Sequence, residues 1–315
     1  MSIQTAQPAA PVREAAAGEK RQGKTLFHHN KPAWFFLAPF AIFYVLFLIG
    51  PTLYMFVSSF FNSSLVKPGL GSFAGFGNYR EMLSKDEFWS SMWHTLQFTL
   101  YTVPPLVILA FVFAILVNRL KRGQAFFRIA FFVPFILPSA TISLIWLFIF
   151  TPATGLLALV QGWIGFDAPS PILATPSLAM LGIAMATVWW TLGFNFILYL
   201  AALQDVPRET YEAASVDGAS PWQQIRFITI PLLSRTTTLV IVLQIIASLK
   251  VFDQVYLMTS GGPGISTQVA LGLITNTAFT DFRVGAASAA SVLLFIVIII
   301  IAVLRQLTER SERTA

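Results

Sequence analysis

Few residues in this sequence are equipped for chemistry, and the set that most resembles an active motif is a nucleotide signature. Gly18-Glu-Lys-Arg-Gln-Gly23-Lys24-Thr25 fits G-x-x-x-x-G-K-[ST], in which backbone N–H groups and a lysine hold phosphates. That chemistry requires a buried strand before the loop and a helix N-terminus after it. Here Pro11-Val-Arg-Glu-Ala-Ala-Ala offers no buried strand, and Leu26-Phe-His-His-Asn-Lys-Pro32 cannot continue as a helix for long. The favoured reading is a basic tail beside a membrane, and genuine nucleotide binding is declined. The Gly69–Gly77 stretch fails the dinucleotide spacing and reads as a flexible loop. No G-x-S-x-G, H-E-x-x-H or EF-hand pattern occurs. The absence of cysteine removes disulfides, thiolate zinc sites, iron–sulfur clusters and cysteine nucleophiles, and His28, His29 and His94 make a poor metal set. No catalytic residue, metal site or cofactor is therefore assigned to this chain.

The elements that would position any site are membrane spans. The chain has 315 residues, 56% hydrophobic and only 11% charged, against roughly 25% charged in an ordinary soluble domain. Six apolar runs of about 20 residues cover Trp34–Phe56, Thr95–Val117, Ile129–Phe150, Leu178–Leu203, Thr237–Met258 and Gly285–Leu304. The expected fold is all-α and polytopic: a disordered cytoplasmic tail over 1–32, a six-helix membrane domain over 33–307 and a short cytoplasmic tail over 308–315. The first run is preceded by about thirty polar and small residues and is too long for a secretory h-region, so it reads as a span.

Charge sets the orientation. Fifteen Lys and Arg flank the spans on the side of both termini, among them Lys24, Arg119, Arg208 and Arg310, against four on the other side, Lys67, Arg80, Lys85 and Arg283. The positive-inside bias predicts both termini in the cytoplasm. It also accounts for the net charge of +6, which leaves nucleic-acid binding without support.

The most punctuated segment is the loop between spans four and five. Asp205 and Pro207 predict a helix start, and the helix through Tyr211–Val216 stops at Gly218, a residue free to take positive φ. Ser220, Pro221 and Gln223 then spell a capping box opening a second short helix that runs to Pro231. Trp222, Ile225, Phe227 and Ile228 give that second helix an apolar side expected to pack under the membrane domain. In the first helix, Ala213 and Ala214 permit close approach and Glu212 adds a charge. Two readings stand on these residues: a docking surface, or an amphipathic interfacial connector.

Glu212-Ala213-Ala214, Gly218, Ile228, Ile230 and Pro231 resemble the EAA loop of permease subunits of binding-protein-dependent ABC importers; the family has Leu where this chain has Ile230. Gly75-Phe-Gly-Asn-Tyr79, Phe127-Arg-Ile-Ala-Phe-Phe-Val-Pro134 and Val251-Phe-Asp-Gln-Val-Tyr-Leu-Met-Thr-Ser-Gly-Gly-Pro263 resemble its carbohydrate branch, the maltose and glycerol-phosphate type. The resemblance implies that Glu212, Ala213, Ala214, Asp217 and Gly218 belong to a coupling helix seated in a groove of a separate ATPase. It further implies an ATP-binding subunit dimer that holds the ATP and Mg, a second homologous permease subunit and an extracytoplasmic substrate-binding protein. That binding protein would meet the Gly69–Trp93 and Thr151–Ser177 connections. The location implied is a bacterial or archaeal plasma membrane.

A sugar presents hydroxyl edges and apolar ring faces, so its path needs polar side chains beside aromatic plates. Trp189, Phe194 and Asn195 in span four, with Ser248 and Asp253 in span five, are the expected contacts; Trp190, Gln244, Lys250 and Gln254 lie beside them. Other readings stay open: tryptophans form aromatic belts, and Lys250 and Asp253, spaced i, i+3, can pair with each other. Pro104-Pro105, Pro134 and Pro138 serve either as gating kinks or as tolerated bends. The rival function is a stand-alone secondary transporter or facilitator, which usually shows internal repeats; none is evident. A membrane-embedded enzyme is the third option and has no motif behind it.

Overall fold

A computed structural model of the chain describes the backbone of residues 31–314 apart from 68, 121 and 166–170, and within that range the side chains of 36–303. The Gly18–Thr25 motif and nearly all of the expected N-terminal tail lie outside the described residues. Packing divides the chain into an N-terminal unit ending at Pro51 and a main unit beginning at Thr52. The N-terminal unit supplies most of α1 (Phe36–Ser58), on which Phe36, Phe40 and Phe47 are largely exposed, as side chains that face lipid must be.

The main unit continues with α2 (Gly77–Ser84), α3 (Asp86–Asn118), α4 (Gln124–Ile136), α5 (Ser139–Ile149), α6 (Leu156–Trp163) and α7 (Pro176–Gln204). Next come α8 (Arg208–Val216), α9 (Pro221–Leu232), α10 (Ser234–Leu249), α11 (Asp253–Thr259), α12 (Ala270–Thr275) and α13 (Val284–Thr314). The fold is all-helical among the described residues, apart from one isolated bridge between Phe61 and Phe73. Four helices, α1, α3, α7 and the Val284–Val303 part of α13, are each long and apolar enough to cross a membrane. Among the described residues the number is six when each of the bent pairs α4–α5 and α9–α10 counts as one span.

The helix starts follow local chemistry. Asp86 and Glu87 stand in the first turn of α3, where the helix dipole favours negative charge, and Pro176 opens α7 at a position that needs no N–H. Pro104 and Pro105 pass through α3 without breaking it. At Pro138, by contrast, the third span turns by 98° between α4 and α5. The fifth span also departs from expectation: its helix ends at Leu249 and restarts at Asp253, so Lys250 lies outside regular helix and does not share a helical face with Asp253.

The core is built on α3 against α7. Ala110 and Ala114 of α3 are fully buried with Phe196, Tyr199 and Leu200 of α7; small residues bring helix backbones together where lipid provides no hydrophobic drive. At Gly193 the approach is closer still, since a Cβ there would lie 1.9 Å from the Phe131 carbonyl oxygen of α4. A second cluster joins Phe98 of α3 and Met180 and Ile183 of α7 to Val255 and Met258 of α11.

At the head of α13, Arg283 grips Glu81 of α2 with a two-pronged pair of 2.7 and 2.5 Å, and Lys85 lies 2.9 Å from the same carboxylate. The Arg283 hydrogen bonds, with help from Lys85, hold the Glu81 carboxyl at about 2 and push the Arg283 pKa up. Asn78 donates to the carbonyls of Ser59 and Phe61 at 3.0 and 2.9 Å, and the Gly285 N–H donates to the Ser63 carbonyl at 3.0 Å. The α1–α2 connection is thereby fastened to the start of α13.

Candidate functional site

Two places combine specific local structure with accessible side chains: the α8–α9 loop and a cavity bounded by α3, α7, α10 and α11.

Helix α8 begins after Pro207 and has Glu209 in its first turn. It ends in a Schellman motif: Ala219 N–H reaches back to the Ala214 carbonyl at 2.9 Å and Gly218 N–H to that of Ser215 at 3.1 Å, with Gly218 at φ +82°. The capping box is also present, with Ser220 N–H donating to Gln223 Oε1 at 2.7 Å and Gln223 N–H to Ser220 Oγ at 3.4 Å.

One face of α8 is tied to α9. The Tyr211 and Thr229 hydroxyls lie 3.1 Å apart, and Gln224 Nε2 donates to Ser215 Oγ at 3.0 Å and to the Ala219 carbonyl at 3.3 Å. Tyr211 and Ala214 on this side are half-buried, whereas Glu212, Ala213, Asp217 and Gly218 are exposed. Val216 is 88% exposed, an apolar contact that reading the sequence for charge and small residues passed over. The two alanines therefore differ in role, Ala213 facing outward and Ala214 inward. Trp222 and Phe227 of α9, expected beneath the membrane domain, are 66% and 68% exposed; α9 turns Ile225, Ile228 and Thr229 inward instead. The bend of 65° at Leu233 then directs the chain into α10.

The cavity has a volume of about 330 Å³ and is lined by Thr102 of α3, Thr187, Trp190 and Thr191 of α7, Gln244 and Ser248 of α10, and Lys250, Asp253 and Gln254 at the break before α11. Thr187 and Thr191, one turn apart, flank Trp190, so hydroxyls border an indole face. Four of these polar groups, Ser248, Gln244, Asp253 and Trp190, have partners outside their own helix, while Thr102, Thr187 and Thr191 bond back to their own helix. Ser248 Oγ lies 2.8 Å from Thr99 Oγ1, and Gln244 donates to Asn195 Oδ1 at 2.9 Å, while Asn195 donates to the Thr191 carbonyl at 3.0 Å. Asp253 Oδ2 accepts from Ser139 of α5 at 2.7 Å, and Trp190 Nε1 donates to the Leu137 carbonyl at 3.1 Å.

Of the five expected contacts, Ser248 and Asp253 line this cavity. Asn195 is fully buried one residue behind it and positions Gln244. Trp189 meets Trp146 edge-on at 6.0 Å, and Phe194 stacks on Phe135 at 5.0 Å; neither lines the cavity. No ion pair joins Lys250 to Asp253 among the described residues, the Asp253 carboxylate being engaged by Ser139. The absent signal was register: in α7 it is Trp190, at i+3 from Thr187, that shares the threonine face.

Helical spans around a polar cavity, with a short exposed helix in the loop between two of them, fit a membrane transport subunit. Residues 68–314 match the family described as binding-protein-dependent transport system inner membrane component, and the chain belongs to that family. It is 35% identical over 220 residues to a probable ABC transporter permease protein of Pyrococcus horikoshii, covering 69% of this chain and 75% of that protein. It is 34% identical to the sulfoquinovosyl glycerol transport system permease protein of Agrobacterium fabrum, covering 80% and 82%. Identity to the trehalose/maltose transport system permease protein of Thermococcus litoralis is 31%, over 84% and 89%. A solved bacterial ABC transporter involved in the import of the acidic polysaccharide alginate shares the fold, with a TM-score of 0.78 over 89% of this chain and 96% of that one at 22% identity.

The chain is thus a multi-pass permease subunit of an ABC importer, and ATP hydrolysis belongs to a separate subunit. Family membership removes the stand-alone carrier.

Proposed function

We propose that this permease forms half of the translocation pathway for a sugar, polyol or sugar derivative, and that the exposed face of α8 is the handle by which a dimer of ATP-binding subunits drives it. The observation that carries the second claim is the build of α8: a helix of 9 residues, stopped by a left-handed glycine and laced to α9 on one face, with Glu212, Ala213 and Val216 free on the other. A helix held on one side and bare on the other transmits a push as a rigid lever. ATP and Mg are held by the partner, and this chain supplies no ligand for either.

The sugar assignment rests on the cavity, where an indole plate adjoins hydroxyl and amide groups, the lining that a polyhydroxylated ring requires. Trp190, Gln244, Ser248, Asp253 and Gln254 are the proposed contacts. The relatives' cargoes, trehalose/maltose and sulfoquinovosyl glycerol, support this class. A second homologous permease closes the pathway and an extracytoplasmic binding protein delivers the cargo; the alginate transporter was also solved in complex with its alginate pentasaccharide-bound periplasmic protein. In this reading α8 and both termini are cytoplasmic, in a bacterial or archaeal plasma membrane, following the charge bias.

Gly218→Pro tests the lever. Proline cannot adopt φ +82°, so the stop of α8 is lost while the spans remain. Glu212→Lys alters the bare face alone. Both are expected to cut uptake at least tenfold in the assembled importer while membrane insertion is kept. Full transport by a stably expressed Gly218→Pro importer contradicts the proposal.

A further inference from the structure

Two of the helix breaks meet at one place, the fifth span being bent once at Leu233 and interrupted a second time here. The third span is interrupted at Leu137–Pro138 and the fifth at Lys250–Phe252, and the first residue of each resumed helix, Ser139 of α5 and Asp253 of α11, is joined to the other by the 2.7 Å hydrogen bond. The donor is a hydroxyl and the acceptor a carboxylate, which makes this a charge-assisted bond, with Asp253 exposed towards the cavity. Backbone dihedrals at the breaks are non-helical, with Leu137 extended and Phe252 at φ −147°, ψ −58°.

The halves of each broken span also belong to different neighbours. Helix α4 packs on α7, where Gly193 allows the Phe131 carbonyl to touch the α7 backbone, and α10 packs mainly on α3. Helices α5 and α11 pack chiefly on each other. Chain connectivity places α10 directly after the α8–α9 loop, so a displacement of α8 reaches α10 first.

We infer that α5 and α11 form a single rigid leaf of the pathway wall, hinged at Leu137–Pro138 and Lys250–Phe252, and that the Ser139–Asp253 bond is the pin holding the two helices together through the transport cycle. Asp253 is accordingly a positioning residue as well as part of the cavity lining. A push arriving along α10 swings both outer half-helices together, although only one of them is continuous with the loop. Trp190, donating to the Leu137 carbonyl, satisfies the group that the hinge leaves open. The inference rests on the lever assigned to α8 above and is independent of the cargo.

The test uses the complete importer, assembled with its ATPase and second permease, compared without nucleotide and after trapping with ATP and vanadate. The chain has no cysteine, so nitroxide pairs can be placed cleanly on exposed sites. Phe148→Cys with Tyr256→Cys reports α5 against α11, and Phe126→Cys with Phe148→Cys reports α4 against α5. The expected result is an unchanged α5–α11 distance and an α4–α5 distance shifted by several ångströms. Ser139→Ala should broaden the α5–α11 distribution and Ser139→Thr, which keeps the hydroxyl, should restore it. A shift of the α5–α11 pair as large as that of α4–α5, no shift of either pair in a fully trapped importer, or a Ser139→Ala distribution as narrow as wild type overturns the inference. The Gly218→Pro uptake measurement judges the lever separately, so failure of one reading is distinguishable from failure of the other.

Discussion

The α8–α9 loop and the α5–α11 junction are both sites where helices are interrupted, yet they are held by opposite means. In the loop the hydrogen bonds are local: the Schellman motif, the capping box and the Tyr211–Thr229 and Gln224–Ser215 bonds span at most 18 residues. At the junction and in the cavity beside it the contacts are long-range, Ser139 to Asp253 across 114 residues and Gln244 of α10 to Asn195 of α7 across 49. A locally built element keeps its shape while its surroundings move, which suits a lever presented to a partner. An element built by long-range contacts changes with its neighbours, which suits the wall of a pathway.

This contrast can be broken in order of effect. The largest is expected at Gly193→Ala: the added Cβ meets backbone at 1.9 Å rather than a flexible side chain, so α4 must leave α7. Overpacking of this kind costs about 3 kcal/mol or more, and the assembled complex should be lost or melt many degrees lower, as thermal unfolding in detergent will read. Next is Asn195→Ala, which strands the buried Gln244 amide and should destabilise by about 1–3 kcal/mol while lowering uptake through Gln244. A Gln244→Ala change in the Asn195→Ala background should then add less than it does alone; full additivity in melting temperature would separate the two residues. Local changes in the loop should behave differently. Gln223→Ala removes half of the capping box and should cost about 1 kcal/mol at most, with the cavity network unaltered.

The smallest effect lies at the Glu81–Arg283 pair, which is partly exposed. Its carboxyl is depressed from 4.5 to about 2, so its contribution is complete above the unfolded value and disappears as the pH falls from about 4.5 towards 2. Glu81→Gln should therefore destabilise by no more than about 1 kcal/mol at pH 7, seen as a slightly lower melting temperature, and should make no difference near pH 2. An equal deficit at both pH values would mean that packing of α2, and not charge, is what the substitution disturbs.

The same division explains what could be read from the sequence. The stop at Gly218 and the capping box at Ser220 were legible because each is decided by residues within six positions. The apolar runs were legible because span length is a property of composition. The prolines were visible but not their effect: Pro104 and Pro105 are carried through α3, packed along its length against α7, while Pro138 breaks the third span where its neighbour changes from α7, against α4, to α11, against α5. The fifth span reads as one helix because Lys250-Val-Phe252 contains nothing that forbids a helix; its interruption coincides with a tertiary contact, the bond from Ser139 to Asp253. The same gap separates the expected contacts from the cavity lining. Trp189 and Phe194 were chosen for type and depth, and only the register of α7 against α3 and α10 shows that Trp190 holds the cavity face.

The claim at the centre of this account is that the bare face of α8 meets an ATPase subunit. Photocrosslinking from position 213, with an unnatural benzophenone side chain replacing Ala213 in the intact importer, tests it most directly. The account predicts an adduct with the ATP-binding subunit whose yield changes between nucleotide-free and vanadate-trapped states. An adduct with the substrate-binding protein, or none with the ATP-binding subunit in a complex that still hydrolyses ATP and transports, would contradict it.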